Sequence, residues 1–159
     1  MRRLFAIVLL VACTLFAPSQ QAAAQQTVTR ITLEALAAAM KQNNWGAEVA
    51  VDQGTKYLRV TVSGSTNGFV DGFDCNAQGC SWFSIYAFFN KDPKYTAEFA
   101  RKFQLNTVFI KGAITDDGRF LVAYDFAAEG GVTLQHLMVS VAIFEEGVNT
   151  FYKAYNDNK

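Results

Sequence analysis

From residue 31 onward the apolar positions recur in two rhythms. Leu33, Leu36, Ala37 and Met40 repeat at helical spacing behind Thr32, with Glu34 in the first turn. This is the pattern of a helix with Thr32 as N-cap, and it places Ile31 and Leu36 as a hydrophobic staple across that cap. Asn43-Asn44 and Gly46 end the segment, and the rhythm changes to period two. Residues 47–51 and 56–62 read as strands, the second with Leu58, Val60 and Val62 alternating against Arg59 and Thr61. Strands over 69–75 and 80–89 follow. The last of these sets Trp82, Ser84, Tyr86 and Phe88 on one face and Phe83, Ile85, Ala87 and Phe89 on the other. A strand so rich in apolar residues is expected at the centre of a sheet, buried on much of both faces.

Asp92-Pro93 predicts an N-cap followed by proline at the first helical position, opening a helix that runs to Leu105 and carries Tyr95, Phe99 and Phe103. Residues 108–115 and 119–126 form a predicted hairpin around Asp116-Asp117-Gly118, and 127–131 a loop. The final helix starts at Thr133, with Val132 and Leu137 as a second staple, and lines up Leu137, Val141, Phe144, Val148, Phe151 and Tyr152. The order α-β-β-β-β-α-β-β-α has hairpin-length turns and no βαβ alternation. It predicts an α+β fold with a mainly antiparallel sheet of five to six strands and helices packed on it. One domain spans 31–155, after an unstructured polar leader at 25–30 and before a tail at 156–159.

The N-terminal pattern is of another kind. Arg2 and Arg3 precede an apolar run from Leu4 to Ala17, then Pro18, then a small and polar stretch with Ala22-Ala23-Ala24. This is the layout of a secretory signal peptide, with cleavage expected between Ala24 and Gln25. The apolar run falls short of the roughly 20 residues that span a bilayer. Leu10-Val11-Ala12-Cys13 also matches a lipobox, in which Cys13 would become the lipidated first residue; the apolar run continuing past it favours simple cleavage. The expected location is periplasmic or secreted, with no transmembrane segment in the mature chain.

Composition narrows the function. Hydrophobic residues make up 51% of the chain and charged ones 18%, which excludes a disordered chain. Export removes two of 14 basic residues and none of 14 acidic ones, so the mature chain carries a net charge of −2. That excludes the Lys/Arg excess of a nucleic-acid binder. Two cysteines remain, Cys75 and Cys80, around the turn-forming Asn76-Ala77-Gln78-Gly79. In an oxidising compartment they are expected to form a disulfide that pins a hairpin register.

Chemistry-bearing residues are sparse. His136 is the single histidine and falls at the third position of the last helix, where a polar residue is ordinary. No serine lies in a nucleophile elbow, and no phosphate-binding glycine motif occurs. Asp74 to Gly79 imitates the start of a calcium loop, but Ile85 stands where a bidentate glutamate is required. Asp116-Asp117 reads as turn chemistry and Glu145-Glu146 as a solvated helix face. No catalytic, cofactor-binding or metal-binding residue is expected. The aromatic content suits a packed core, or else a ligand cavity between sheet and helices.

Residues 69–89 with their paired cysteines, the Asp116-Asp117-Gly118-Arg119-Phe120-Leu121 hairpin, and Glu129-Gly130-Gly131-Val132-Thr133 opening a long helix together resemble the YbjN family of bacterial sensory transduction regulators. The resemblance covers Ile31 to Tyr152 and rests on order and spacing. It implies a fold similar to type III secretion chaperones, a twisted antiparallel sheet under helices, often with a protein-binding role. It supplies no catalytic motif. Those chaperones act in the cytoplasm as dimers, whereas a signal peptide directs export. The expectation is thus a non-enzymatic envelope protein that binds another protein, a second copy of itself included, through a sheet edge or helix face. The alternative is a periplasmic carrier of a small apolar ligand.

Overall fold

In the computed structural model, residues 27–157 are described. The assignments to Cys13 and to the Ala24–Gln25 bond lie outside them. In chain order the elements are β1 (Thr27–Val28), α1 (Leu33–Gln42), β2 (Gly46–Asp52), β3 (Thr55–Val62), β4 (Thr66–Asn76), β5 (Gly79–Phe89), α2 (Ala97–Leu105), β6 (Lys111–Ile114), β7 (Phe120–Ala127), β8 (Val132–Thr133) and α3 (Leu134–Asp157). Six strands form one sheet in the order β2-β3-β4-β5-β7-β6, antiparallel throughout, while β1 and β8 pair as a separate ribbon. The α+β class and the element order match the expectation.

Period-two alternation decides which face of the sheet closes. Leu58, Val60 and Val62, then Val70, then Phe83, Ile85 and Ala87, then Phe120 and Val122 are all buried. Helices α1, α2 and α3 cover this face with Leu36 and Met40, Phe99 and Phe103, and Leu137, Val141, Phe144, Val148 and Phe151. The rings of Phe103, Phe120 and Phe151 fill the space between sheet and helices, with centroids 5.3 to 6.4 Å apart. Of the two sequence-based alternatives for the aromatic residues, packed core describes this layer.

Strand β5 is central, between β4 and β7. Its second face, however, is not closed: Ser84, Tyr86 and Phe88 are half-buried and Trp82 is 46% exposed. Among the described residues all three helices lie on one side, and the opposite face is sheltered by its own side chains.

The Thr32 cap forms as read, and the Thr133 hydroxyl serves the start of α3 in the same way. Thr32 Oγ1 accepts from Ala35 N at 3.1 Å, and Thr133 Oγ1 accepts from His136 N at 3.1 Å. The Asp92-Pro93 start does not form. Asp92 Oδ1 accepts from Lys94 N and its Oδ2 from the Tyr155 hydroxyl, so the residue closes a turn and ties to α3. The helix begins at Ala97, capped by Thr96, whose hydroxyl accepts from Phe99 N. The strand expected from Val108 begins only at Lys111, because the Gln104 amide at the end of α2 donates to Ile110 O and accepts from Gly112 N. Residues 106–110 form a projecting loop with Phe109 at φ 68°.

Two further expectations are corrected. The leader is not unstructured throughout, since Thr27–Val28 pair with Val132–Thr133. Glu145 is not a solvated carboxylate: Trp45 Nε1 donates to it at 3.0 Å and Ser63 N at 2.7 Å, fastening α3 to the ends of β2 and β3. Trp45 and Ser63 lie far from Glu145 in the chain, so only the fold brings donor and acceptor together.

The Cys75–Cys80 disulfide is formed, with Cα atoms 3.9 Å apart. Gly72 leaves it room, since a Cβ there would lie 2.5 Å from Cys80 Sγ. Beside it the Asp74 carboxylate accepts from Ser81 Oγ at 2.5 Å and pairs with Arg30 at 2.6 Å. The Ser81 hydrogen bond first, and Arg30 second, hold this carboxyl below its ordinary value of 3.8. A depressed folded-state pKa contributes stability above the unfolded value that disappears as pH falls through the folded one. Asp74→Asn should therefore melt below the parent at pH 7, with the gap closing below about pH 4. Thermal melts from pH 7 to pH 2 test this, and a gap independent of pH would refute it.

Candidate functional site on the open face of the sheet

The face of the sheet opposite α1, α2 and α3 carries the site. Strand parity brings Tyr57 from β3, Phe69 and Phe73 from β4, and Trp82, Tyr86 and Phe88 from β5 to this side. Phe69 stands directly opposite Tyr86, and Phe73 opposite Trp82. The rings make a continuous run: Tyr57 to Phe69 is 6.0 Å between centroids, Phe69 to Tyr86 is 5.6 Å, and Tyr86 to Phe88 is 5.5 Å. Phe73 is 53% exposed and Trp82 46%.

Four of the rings line an open cleft of about 520 Å³, completed by Asp52, Asp71 and Arg119. The Tyr86 hydroxyl donates to Asp71 Oδ2 at 3.0 Å. Burial first, and this hydrogen bond second, push the Tyr86 phenol up to about 12, so it stays a neutral donor across the physiological range. The Arg119 guanidinium lies 4.1 Å from the Phe88 ring centroid while its Nε pairs with Asp117 at 2.8 Å. Arg59 lies 6.0 Å from the Tyr57 ring and 3.8 Å from Glu48.

The far end of the face is polar. Lys111 pairs with Asp125, which also accepts from Ser84 Oγ at 2.7 Å. Burial works to raise the Asp125 carboxyl, but Lys111 and Ser84 outweigh it and leave it lowered. Trp82 Nε1 donates to Glu129 at 2.9 Å. A second exposed apolar surface is the projecting loop, where Leu105, Val108 and Phe109 are 72%, 72% and 76% exposed.

None of the sequence-derived chemical candidates joins the cleft. His136 is exposed on α3, with its backbone engaged by Thr133 and Ser140. Asp116-Asp117 sit in the β6–β7 turn, where Asp117 accepts from Thr115 Oγ1 at 2.5 Å and Gly118 supplies the one positive φ. Among the described residues, no three His, Cys, Asp or Glu side chains cluster as metal ligands, and no helix is long and apolar enough to cross a membrane. Sequence reasoning grouped Tyr86 and Phe88 correctly but missed Tyr57 and Asp71. The available signal was a run of aromatic residues at the wet parity of neighbouring strands.

The profile of the YbjN family, described as "Putative bacterial sensory transduction regulator", matches residues 32–156. The chain belongs to the YbjN family. The crystal structure of E. coli YbjN, titled as a putative transcription regulator, superposes with a TM-score of 0.58 over 82% of this chain and 96% of that one. Identity is 15%, so the likeness concerns the fold. No curated protein matches the sequence. Within this YbjN-family chain the resemblance read from residues 31–152 thus holds for nearly the same span.

Proposed function

We propose that this YbjN-family chain is an exported, non-enzymatic protein-binding module of the bacterial envelope that docks its partner on the open face of the sheet. One observation carries the reading: six aromatic side chains, Tyr57, Phe69, Phe73, Trp82, Tyr86 and Phe88, share a face that no helix among the described residues covers. Aromatic residues are the side chains most enriched at interface hot spots, because they bury large area at small rotamer cost. Export is supported by the N-terminal pattern of charge, apolar run and Ala22-Ala23-Ala24. The non-enzymatic part is supported by the lone, exposed His136.

A photo-crosslinking residue placed at Phe73 or Trp82 in the full-length chain, expressed in its own cells, should yield discrete protein adducts. The same residue at Lys153 on α3 should yield none. Equal labelling at both places, or none on the open face, would refute the docking surface. The intact mass of the recovered chain should correspond to a start at Gln25, and a chain that retains Met1 would refute export.

A further inference from the structure

The aromatic cleft has a charge imbalance that indicates what enters it. Among the described residues its two carboxylates, Asp52 and Asp71, form no ion pair, whereas the cations around it are already met: Arg119 by Asp117 and Arg59 by Glu48. Asp71 is half-buried and spends one oxygen on the Tyr86 hydroxyl, leaving the other free to accept. The walls are the rings of Tyr57, Phe69, Tyr86 and Phe88, whose negative faces attract cations. One guanidinium of the chain itself, Arg119, already lines the cleft over Phe88, and a second, Arg59, sits beside Tyr57. Planar and weakly hydrated, a guanidinium stacks on aromatic faces and bonds a carboxylate with two parallel N–H donors, which an ammonium cannot do.

We propose that the cleft between Tyr57, Phe69, Tyr86 and Phe88 receives an arginine side chain of the docked partner, stacked on the rings that Arg119 leaves uncovered and bonded to Asp71. This rests on the protein-docking role of the open face and names the group that anchors it. Asp52 at the rim adds long-range attraction for the cation on approach.

NMR titration of the mature chain with a blocked Gly-Arg-Gly peptide tests the inference. Saturable shifts are expected at Tyr57, Phe69, Tyr86 and Phe88, with at least fivefold weaker binding of the citrulline peptide, which has the shape without the charge. Asp71→Asn keeps an acceptor for Tyr86 and should weaken the arginine peptide about tenfold. Tyr57→Leu should weaken it as well, and Lys153→Gln, on α3, should leave it unchanged. Equal binding of the citrulline peptide or of tetramethylammonium, or shifts that never saturate, would overturn the assignment. If the open face still cross-links to protein while the arginine peptide fails, the cation assignment falls alone. If the peptide binds and no cross-link forms, the docking reading falls instead.

Discussion

Phe151→Ala should lower the free energy of unfolding by about 4 kcal/mol, the upper range for truncating a buried aromatic ring. Phe151 is 1% exposed and joins four elements. Its ring stacks on Phe89 of β5 at 3.7 Å and on Phe120 of β7 at 5.3 Å, and meets Phe99 and Phe103 of α2 edge-on at 6.0 and 6.4 Å. Rings held from several sides cannot collapse together into the space one of them leaves, so the cavity term adds to the lost transfer energy. Phe151→Leu should cost less than half as much. Urea unfolding followed by circular dichroism measures both, and a loss under 2 kcal/mol for the alanine variant would mean that α2 and α3 close over the gap.

Gly79→Ala should cost about 3 kcal/mol for two separate reasons that add. Gly79 has φ 121°, a conformation that side chains rarely adopt, and a Cβ there would lie 2.3 Å from the carbonyl carbon of Ile31 and 2.6 Å from Thr32 N. Those neighbours are backbone and cannot rotate away. The contact is close because Ile31 and Cys80 exchange backbone hydrogen bonds of 3.0 and 2.9 Å. In the variant, amide exchange at Ile31 and Cys80 should accelerate while that of Ile85 stays slow. A loss under 1 kcal/mol with both amides still protected would show that the hairpin tip has slack.

Much of this architecture was legible in the chain. Thr32 and Thr133 each carry a cap whose donor lies three residues away, so both helix starts follow from local chemistry. The alternation through Leu58, Val60 and Val62, and through Phe83, Ile85 and Ala87, needs only the pleat. The Asp92-Pro93 start misled because an aspartate before proline serves a turn as readily as a helix, and Tyr155, on a distant element, takes up its carboxylate. The strand start at Lys111 depends on Gln104, a side chain of α2 folding back on the backbone, which no period reveals. The open face was half legible. Tyr86 and Phe88 were placed on one side, but whether a second layer covers that side depends on where three helices settle. Asp71 becomes part of a site only when β4 and β5 bring it beside Tyr86.

The ribbon of β1 with β8 has a consequence for the order in which the chain assembles. Every strand of the large sheet pairs with a neighbour close in sequence, apart from the step from β5 to β7 over α2 and β6. Those pairings close short loops and are favoured early. Thr27–Val28, in contrast, pair with Val132–Thr133 across most of the described chain. Whether the polypeptide emerges from a ribosome or from a translocation channel, N-terminus first, these two residues appear at the outset and their partner among the last. The N-terminal strand therefore waits, extended and unpaired, while the sheet behind it forms. The ribbon is thus the last pairing to close, and the backbone of Thr27 and Val28 stays accessible to other proteins until the rest of the domain has folded.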